Sequence, residues 1–445
     1  MKKLIFTIAF SIGFQLAAGQ HMWSMEECMA YAADHSPEVE QVRWDLATAK
    51  ANQSEAIADF FPSVSAQVGG QYNWGRNIDP ESNTYNNVTT FNNGYGLYAS
   101  LTIFDGGQTF NRYKQARVER QKSLNAVEMR RDDRAIAAMM AFVDAVYYQG
   151  AIKIAMDRAD HSKNVLRQTQ LQEELGIKGH PDVAQAQATV ADDEYNLVHQ
   201  RNLFTQAMLN LRAAMNYPQE KEMLLDTMMT NAAPMPLYGS DDAETVYSIA
   251  QHTNPTAINA EMTVQSSRYS YRVAKGSLMP TISFNAGIST SYFRNLSGDY
   301  TTPSFREQFR NNRGEYISAT LSIPIFSNLG RVSNVKRAKY ALRRAEAVKE
   351  EQLRKLHDDV IAAVTDRNGY AMEILSLQAK VDADYEAYML NRRRYEEGLI
   401  SIIDQQLTAN TYFASQLSLL QKQMLYVLKN KLVDYYKGNS LWMSK

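Results

Sequence analysis

Two long stretches of this chain, 107–175 and 330–397, contain no proline and only one internal glycine each, Gly150 and Gly369. Apolar residues recur in them at spacings of three and four, with charged residues between, which is the pattern of an amphipathic α-helix. At about 1.5 Å per residue, each stretch predicts a helix roughly 100 Å long. Because a compact domain cannot hold such helices, the sequence predicts an elongated bundle or tube, with a free-standing antiparallel coiled coil as the alternative.

The second half of the chain repeats the first. Phe61-Pro62-Ser63 corresponds to Met279-Pro280-Thr281. Further matches follow in the same order and at nearly the same offset; they include Leu101-Thr102-Ile103 with Leu321-Ser322-Ile323, Lys114 with Lys336, and Asp182 with Asp404. An ordered series of this kind is typical of a duplicated structural unit. Each unit is predicted to contain a helix, two strands, a long helix and a shorter returning helix.

The N-terminus and the repeats together predict how the chain is divided. Lys2 and Lys3 precede an apolar run and then small residues, which is the order found in a secretory signal peptide. The predicted segments are 1–19 as signal peptide, 20–217 as first repeat, 218–240 as equatorial linker, 241–438 as second repeat and 439–445 as C-terminal tail.

The shorter helices have their own start and stop signals. Ser24 with Glu27, and Asp241 with Glu244, have the spacing of a capping box. The predicted leading helices are 24–60 and 242–277, and the predicted returning helices are 181–217 and 403–437. Within the first returning helix, the acidic run 192–194 is interpreted as a solvated face.

Four segments alternate between apolar and polar residues, as β-strands do. In the first, Val64 and Val68 fall on one face, and Ser65 and Gln67 on the other. The predicted strands are 63–74, 95–104, 281–292 and 315–323, joined by polar connections at 75–92 and 294–314. Their lengths suit tilted strands that cross a bilayer, and the aromatic residues near their ends suit interfacial girdles. Four such strands favour a membrane sheet over half-buried soluble hairpins.

Four strands cannot close a barrel, because an open edge in lipid would leave backbone hydrogen-bonding groups unpaired. Several copies must share one barrel, although the strand count alone leaves their number open. Two copies would make a barrel too narrow for an open lumen, whereas three would supply twelve strands. The predicted fold is a mixed α and β membrane protein, internally duplicated, with four transmembrane β-strands per protomer completing a 12-stranded trimeric β-barrel that continues into a long periplasmic α-helical barrel.

The composition argues against several other functions. With 47 basic and 48 acidic residues, the chain has no surplus of positive charge for nucleic acid. Its single cysteine, Cys28, excludes an intrachain disulfide, and its seven histidines lack the spacing of a zinc site. No phosphate-binding loop or nucleophile with its base is recognisable. We therefore expect no enzyme activity, no cofactor and no metal. The methionines near the linker are interpreted as packing residues rather than as a copper site; they are Met223, Met228, Met229 and Met235.

The chain resembles the TolC outer-membrane efflux protein family. The resemblance is carried by the duplicated plan, the Phe-Pro or Met-Pro start of a strand, the Leu-Thr-Ile-Phe-Asp-Gly-Gly run at 101–107, and the Gly-x5-Asp turns at 176–182 and 398–404. It implies a homotrimer in the outer membrane, surrounded by its lipid and extending into the periplasm. It also implies export of small molecules or proteins in a tripartite efflux or type I secretion system, with a periplasmic adaptor (membrane fusion) protein and an inner-membrane RND or ABC pump.

The resemblance further implies which residues form the periplasmic entrance. Asp404 matches one aspartate of a ring that attracts cations, but Leu407 stands where the family archetype has a second aspartate. Tyr395 and Asp182 match a tyrosine and an aspartate whose link holds the entrance shut. The alternative role for both aspartates is to cap the returning helices.

An arginine of the same link is replaced here by Ile400, and Arg394, in the run 392–394, is the candidate substitute. The helix-hairpin tips are the expected docking points for the adaptor; their residues are Gly176, Ile177, Gly398 and Leu399.

Two other functions compete with an export duct. One is a passive outer-membrane porin, against which the long helices argue, since diffusion needs no periplasmic extension. The other is a structural coiled-coil surface protein, against which the alternating strands argue.

Overall fold

The computed structural model describes residues 21–79, 83–219, 221–226, 241–297 and 302–442. The predicted signal peptide, most of the predicted linker and residues 443–445 lie outside the described residues. In chain order the elements are β1 (Met22–Trp23), α1 (Met25–His35), α2 (Pro37–Ala58), β2 (Ser63–Asp79), β3 (Thr84–Phe104), α3 (Gln108–Glu174), α4 (His180–Met215), β4 (Leu224–Leu225), α5 (Ala243–Thr253), α6 (Pro255–Gly276), β5 (Thr281–Asn295), α7 (Phe305–Asn311), β6 (Gly314–Ser322), α8 (Gly330–Glu396) and α9 (Ile402–Tyr436).

The chain forms two compact units. Of the described residues, the helical unit comprises those within Met1–Val42, Ala126–Ala257 and Leu353–Lys445, and the sheet unit comprises those within Arg43–Asn125 and Ile258–Gln352. The long helices α3 and α8 supply residues to both units, and each has 67 residues. Their ends lie within one residue of those predicted, because the stretches without proline run unbroken between a glycine turn at either end.

The leading helices are not continuous, so the predictions of single helices at 24–60 and 242–277 are wrong. Each is broken before a proline, which has no N–H and restricts the residue before it to extended conformations. Ser36 has φ −75° and ψ 127°, and Asn254 has φ −71° and ψ 127°. Each side chain then accepts a hydrogen bond from a backbone N–H at the start of the next helix. Ser36 Oγ accepts from Glu38 N at 3.2 Å, and Asn254 Oδ1 accepts from Thr256 N at 2.9 Å.

One of the two predicted capping boxes is present. The Ser24 N–H donates to Glu27 Oε2 at 2.9 Å, and the Glu27 N–H donates to Ser24 Oγ at 3.2 Å. The prediction for Asp241 is wrong, because Asp242 is the N-cap residue of α5 and accepts from Thr245 N at 3.2 Å. Asp241 lies instead against two cations; they are Arg367, at 2.7 Å, and Lys437, at 2.5 Å. These cations lower the pKa of the Asp241 carboxyl.

The sheet unit contains an antiparallel sheet with strand order β2-β3-β5-β6. The register places the apolar residues of all four strands on one face; they include Val64, Val68, Leu97, Ala99, Phe284, Ile288, Ile317 and Leu321. Many of these side chains are exposed, Ile317 to 80%. The opposite face is mainly Ser, Asn, Gln and Thr with two tyrosines, Tyr98 and Tyr316. The predicted alternation is therefore present, and many side chains of the apolar face are exposed in the part of the chain that the structure describes.

The predicted connection at 75–92 is mostly strand. The β2–β3 ladder continues from Trp74↔Thr89 to Asp79↔Thr84, so β3 has 21 residues. Asn and Thr suggested a loop, but the ladder pairs backbone groups and tolerates polar side chains in a long hairpin. The other predicted connection, 294–314, contains the short helix α7. Since β2 follows α2 and β3 precedes α3, the helices lie at one end of the strands and both hairpin connections at the other.

The main core of the helical unit is rich in sulfur. Its buried residues include Met25, Cys28 and Met29 of α1, Met139 and Phe142 of α3, Met208, Leu211 and Met215 of α4, and Met223 and Met424. Met223 is thus a packing residue, as interpreted; the other three linker methionines lie outside the described residues. Burial raises the pKa of the Cys28 thiol. Among the described helices, α3 alone is long and apolar enough to span a membrane by length and composition, and its apolar middle supplies this core.

Candidate functional site

The turn between α3 and α4 forms the first part of the candidate site. Gly176 has a φ of 69°, which lets the chain reverse, and Ile177 N donates to the Gln172 carbonyl at 2.8 Å. The α4 helix begins at His180, and the Gly179 N–H donates to Asp182 Oδ2 at 3.2 Å. The Asp182 carboxylate therefore makes a capping contact at the N-terminus of α4.

The turn between α8 and α9 repeats this geometry. Gly398 has a φ of 77°, and Leu399 N donates to the Arg394 carbonyl at 2.8 Å. Ser401 is the N-cap of α9; its Oγ accepts from Asp404 N at 3.1 Å and donates to Asp404 Oδ2 at 2.7 Å. Both aspartates thus make capping contacts, and Asp404 also leaves its carboxylate exposed to solvent.

Tyr395 connects the two turns. Its side chain is 1% exposed, and its hydroxyl lies 2.6 Å from the hydroxyl of Thr169 on α3. The Gln172 amide donates to the Tyr395 carbonyl at 3.3 Å, and Lys178 Nζ donates to the Ile400 carbonyl at 3.1 Å. Burial raises the pKa of Tyr395, and the Asp182 charge adds to this. Tyr395 therefore lies near the first turn, but its hydrogen-bond partner is Thr169 and not Asp182.

The remaining predicted site residues are on the surface. Arg394 is exposed, while its neighbour Arg392 pairs with Glu396 at 3.1 Å. Ile400, expected from the resemblance to stand in place of an arginine, packs with Tyr395 in a small apolar cluster. The turns also carry large exposed apolar side chains; these are Leu175, Ile177, Leu399, Ile403 and Leu407.

A second connection, centred on His161, was not predicted from the sequence. His161 Nδ1 lies 2.8 Å from the Tyr388 hydroxyl, and His161 Nε2 lies 2.6 Å from Gln405 Nε2. The ring thus joins α3 to α8 and α9. Burial, followed by the charge of Arg392, lowers the pKa of His161 to about 4. A lone histidine on a helix gives no signal of such a role, because its partners are more than 200 positions away along the chain.

An ion pair borders the same cluster and corrects one interpretation. Arg158 Nε lies 2.6 Å from Asp193 Oδ1, and the Asp193 side chain is buried. The acidic run 192–194 is therefore not a purely solvated face. Burial raises the pKa of Asp193, and the Arg158 charge opposes this.

A cavity of about 20 Å³ lies among Arg158, His161, Asp193, Gln405 and Phe413, which is room for one water molecule.

These contacts define what the site can do. Hydroxyl, amide and imidazole groups join the first hairpin, α3–α4, to the second, α8–α9, and water can replace each of them if the hairpins separate. Within the part of the chain that the structure describes, no group of three or more His, Cys, Asp or Glu side chains could hold a metal ion. The contacts across the hairpins therefore suit a reversible contact between helices.

A family model described as "Outer membrane efflux protein" matches residues 30–217 and 246–429. The chain belongs to the outer membrane efflux protein family. It is accordingly an efflux channel protein of the outer membrane that extends into the periplasm, and its family is not one of enzymes. The resemblance identified from the sequence is confirmed.

Solved structures with the same fold include other outer-membrane proteins. VceC of Vibrio cholerae superposes with a TM-score of 0.81 at 14% identity, covering 94% of this chain and 96% of VceC. The CmeC outer membrane channel of Campylobacter jejuni has a TM-score of 0.77 at 14% identity, covering 98% and 94%. The MtrE outer membrane channel of Neisseria gonorrhoeae has a TM-score of 0.68 at 16% identity, covering 93% and 88%. No curated protein sequence matches this efflux family member significantly.

Proposed function

We propose that three copies of this chain close a twelve-stranded β-barrel and continue it as a helical duct. The observation that carries the proposal is the open four-stranded sheet with one apolar face, attached at one end to helices of 67 residues. Its edge strands, β2 and β6, run in opposite directions, so β6 of one copy suits antiparallel pairing with β2 of the next. The apolar face then meets lipid and the polar face lines the lumen.

The duct exports small molecules or proteins together with a periplasmic adaptor protein and an inner-membrane RND or ABC pump. The chain carries no recognisable nucleotide-binding motif, so a partner supplies the energy. The adaptor docks at the hairpin tips, where Ile177 and Leu399 are exposed to 58% and 69% beside the turn glycines Gly176 and Gly398. Exposed apolar side chains of this kind are typical of a protein-binding surface.

The two turns form the periplasmic entrance of the duct. Asp404 places a carboxylate at its mouth, where charge attracts cations. Tyr395 holds the two hairpins together. Asp182 adds negative charge close to Tyr395 and makes a capping contact at the N-terminus of α4. Arg394 is exposed and free to meet a carboxylate of a neighbouring copy. Opening separates the hairpins at Tyr395.

Disulfide trapping at the sheet edges tests the barrel. Cys28 is buried, so it is not expected to form an intermolecular disulfide of its own. Gln67→Cys on β2, combined in turn with Ser318→Cys or Thr320→Cys on β6, is expected to give covalent trimers in at least one register. The control combines Gln67→Cys with Asn285→Cys on β5, which is already paired on both sides. Closed dimers, or no intermolecular disulfide in any register, would contradict the proposal.

Photo-crosslinking at the tips separates the duct from a passive porin. A photoreactive residue replacing Ile177 or Leu399 is expected to capture a second periplasmic protein in whole cells. The control position is Tyr85, which is exposed on the strand hairpin at the far end of the sheet unit. Capture of copies of this chain alone would favour the porin.

A further inference from the structure

The connection between β5 and β6 folds back over the apolar face of the sheet. The Phe305 and Phe309 rings of α7 lie 6.0 and 5.4 Å from the ring of Tyr95 on β3, and Phe305 lies 5.4 Å from Tyr292 on β5. Thr290 Oγ1, on the same face, donates to the Phe309 carbonyl at 2.7 Å. A short helix therefore covers the apolar face next to the hairpin end of the strands.

Gln308 fixes this helix in place. Its buried side-chain amide accepts from Phe293 N at 3.0 Å and donates to the Phe293 carbonyl at 2.9 Å, which completes the ladder of β5 where β6 has not yet begun. It also donates to the Pro303 carbonyl at 2.9 Å, and Asn312 Nδ2 donates to the Ser291 carbonyl at 2.8 Å. The helix is thus a built part of the sheet unit and not a free loop.

An apolar groove of about 320 Å³ lies between the helix and the sheet. Its walls include Val68, Leu97, Ile288 and Phe309, and Arg313 stands among its lining residues. Its apolar walls favour a segment of alkyl chain over water.

Exposed arginines lie on β5 and α7, the strand and the helix that border the groove. Arg294, Arg306 and Arg310 are exposed, and no ion pair or side-chain hydrogen bond of theirs occurs among the residues that the structure describes. Arg313 is paired with Glu315. Guanidinium groups bind phosphate in a bidentate manner, so exposed arginines on the helix that borders an apolar groove match a ligand with phosphate at one end and an alkyl chain at the other.

We propose that this groove binds a phosphorylated lipid of the outer leaflet, with an acyl chain in the groove and the phosphate on Arg306 and Arg310. The inference rests on the proposed barrel, which turns the apolar face toward lipid and places the hairpin end of the strands outside. The bound lipid would anchor the outer end of each protomer.

The test measures binding of bis-phosphorylated lipid A to the full mature chain in detergent, by native mass spectrometry. Arg306→Gln/Arg310→Gln is expected to weaken binding about 30-fold, because each basic residue near an anionic lipid surface contributes about a factor of five. The matched control, Arg344→Gln/Arg354→Gln, removes two exposed arginines of α8 that have no partner among the described residues. The control is expected to bind as the parent chain does.

The groove is tested separately from the charge. Phe309→Ala is expected to weaken the binding of intact lipid A about tenfold. The same substitution is expected to leave the binding of deacylated lipid A unchanged. Phe326→Ala, which truncates an exposed phenylalanine outside the groove, is the control. Equal binding by the arginine variant and its control would overturn the proposal, and so would equal affinity of the parent for intact and deacylated lipid A.

The same samples are examined for trimers and for ion conductance, which distinguishes this inference from the proposed function. If the parent chain forms conducting trimers but binds no lipid A, the lipid site alone is overturned. If the chain binds lipid A, loses this binding when the two arginines are replaced, and never forms trimers, the barrel alone is overturned.

Discussion

The hydroxyl groups of Tyr395 and Thr169 lie 2.6 Å apart and join the end of α8 to α3. Thr169 Oγ1 donates its own proton to the Val165 carbonyl at 2.7 Å, so the Tyr395 hydroxyl is the donor in the pair. Both side chains are buried, and neither has water as an alternative partner while the hairpins stay together. The pair is therefore a direct link between the two repeats at the proposed entrance.

Tyr395→Phe is expected to loosen the entrance. It removes one neutral hydrogen bond, worth about 1 kcal/mol, and leaves Thr169 bonded to Val165. Single-channel conductance in planar bilayers should rise. Tyr385→Phe, on the same helix but 46% exposed, is the control and should conduct as the parent does. A conductance equal to the control would exclude the Tyr395 link from gating.

Asp404→Asn is expected to reduce cation selectivity. The substitution removes the carboxylate charge at the mouth, and Leu407 supplies no second charge there. Reversal potentials in a salt gradient measure the change. Thermal unfolding of the same variant measures the loss of a negative charge from the first turn of α9, which is worth about 0.3–1 kcal/mol. Unchanged selectivity with a lowered unfolding temperature would leave capping as the only role of Asp404.

His161 is expected to make the hairpin contact weaker in acid. A protonated ring carries hydrogen on both nitrogens and cannot accept from Gln405 Nε2. Because the folded pKa is about 4, below the ordinary value near 6.5, the unfolded state binds more protons between these values. Stability is therefore lost as pH falls from about 6.5 to about 4, by about 2 kcal/mol at pH 5.

Hydrogen exchange of the tip amides, corrected for intrinsic rates, checks this effect at pH 7.5 and pH 5. The parent chain should lose protection in acid, and His161→Gln should lose less, because its amide does not titrate. His199→Gln, an exposed histidine of α4, is the control. The same pH dependence in the parent and in His161→Gln would refute the role of His161.

Gly287→Ala is expected to hinder assembly of the barrel. Gly287 pairs with both Tyr98 and Tyr316, and an added Cβ would lie 2.5 Å from the Tyr316 ring and 2.9 Å from that of Tyr98. Overpacking of this kind costs about 1–3 kcal/mol. The yield of trimers in semi-native electrophoresis should fall. Gly94→Ala, with open space around the new Cβ, should assemble normally, and Gly287→Ala/Tyr316→Ala should recover part of the loss.

The long helices and the sheet faces could be predicted because each depends on a local pattern. A run without proline predicts α3 to within a residue at each end, and alternation predicts which side of β2 is apolar. The strand lengths could not be predicted, since Asn and Thr at 86–93 look like a loop while the backbone ladder continues through them. Pro37 divides the leading helix into α1 and α2, a break that helical periodicity alone does not predict.

The candidate site was predictable in place but not in its pairing. The repeat locates the turns at Gly176 and Gly398, and both have the positive φ expected of a turn. The partner of Tyr395 depends on how α3 packs against α8, and no pattern within one sequence predicts this packing. The same holds for the pairing of His161 with Tyr388. Contacts between distant helices are fixed by tertiary packing, which hydrophobic periodicity does not encode.

The open edges of the four-stranded sheet have a genetic consequence. In the proposed barrel each copy meets one neighbour through β2 and another through β6, so a copy with one damaged edge still joins through the other and leaves the wall unsealed. If normal and damaged chains are made equally and mix freely, only about one trimer in eight lacks a damaged chain. Mutations at the edges are therefore expected to be dominant over the wild-type allele, whereas deletion of the gene would be recessive.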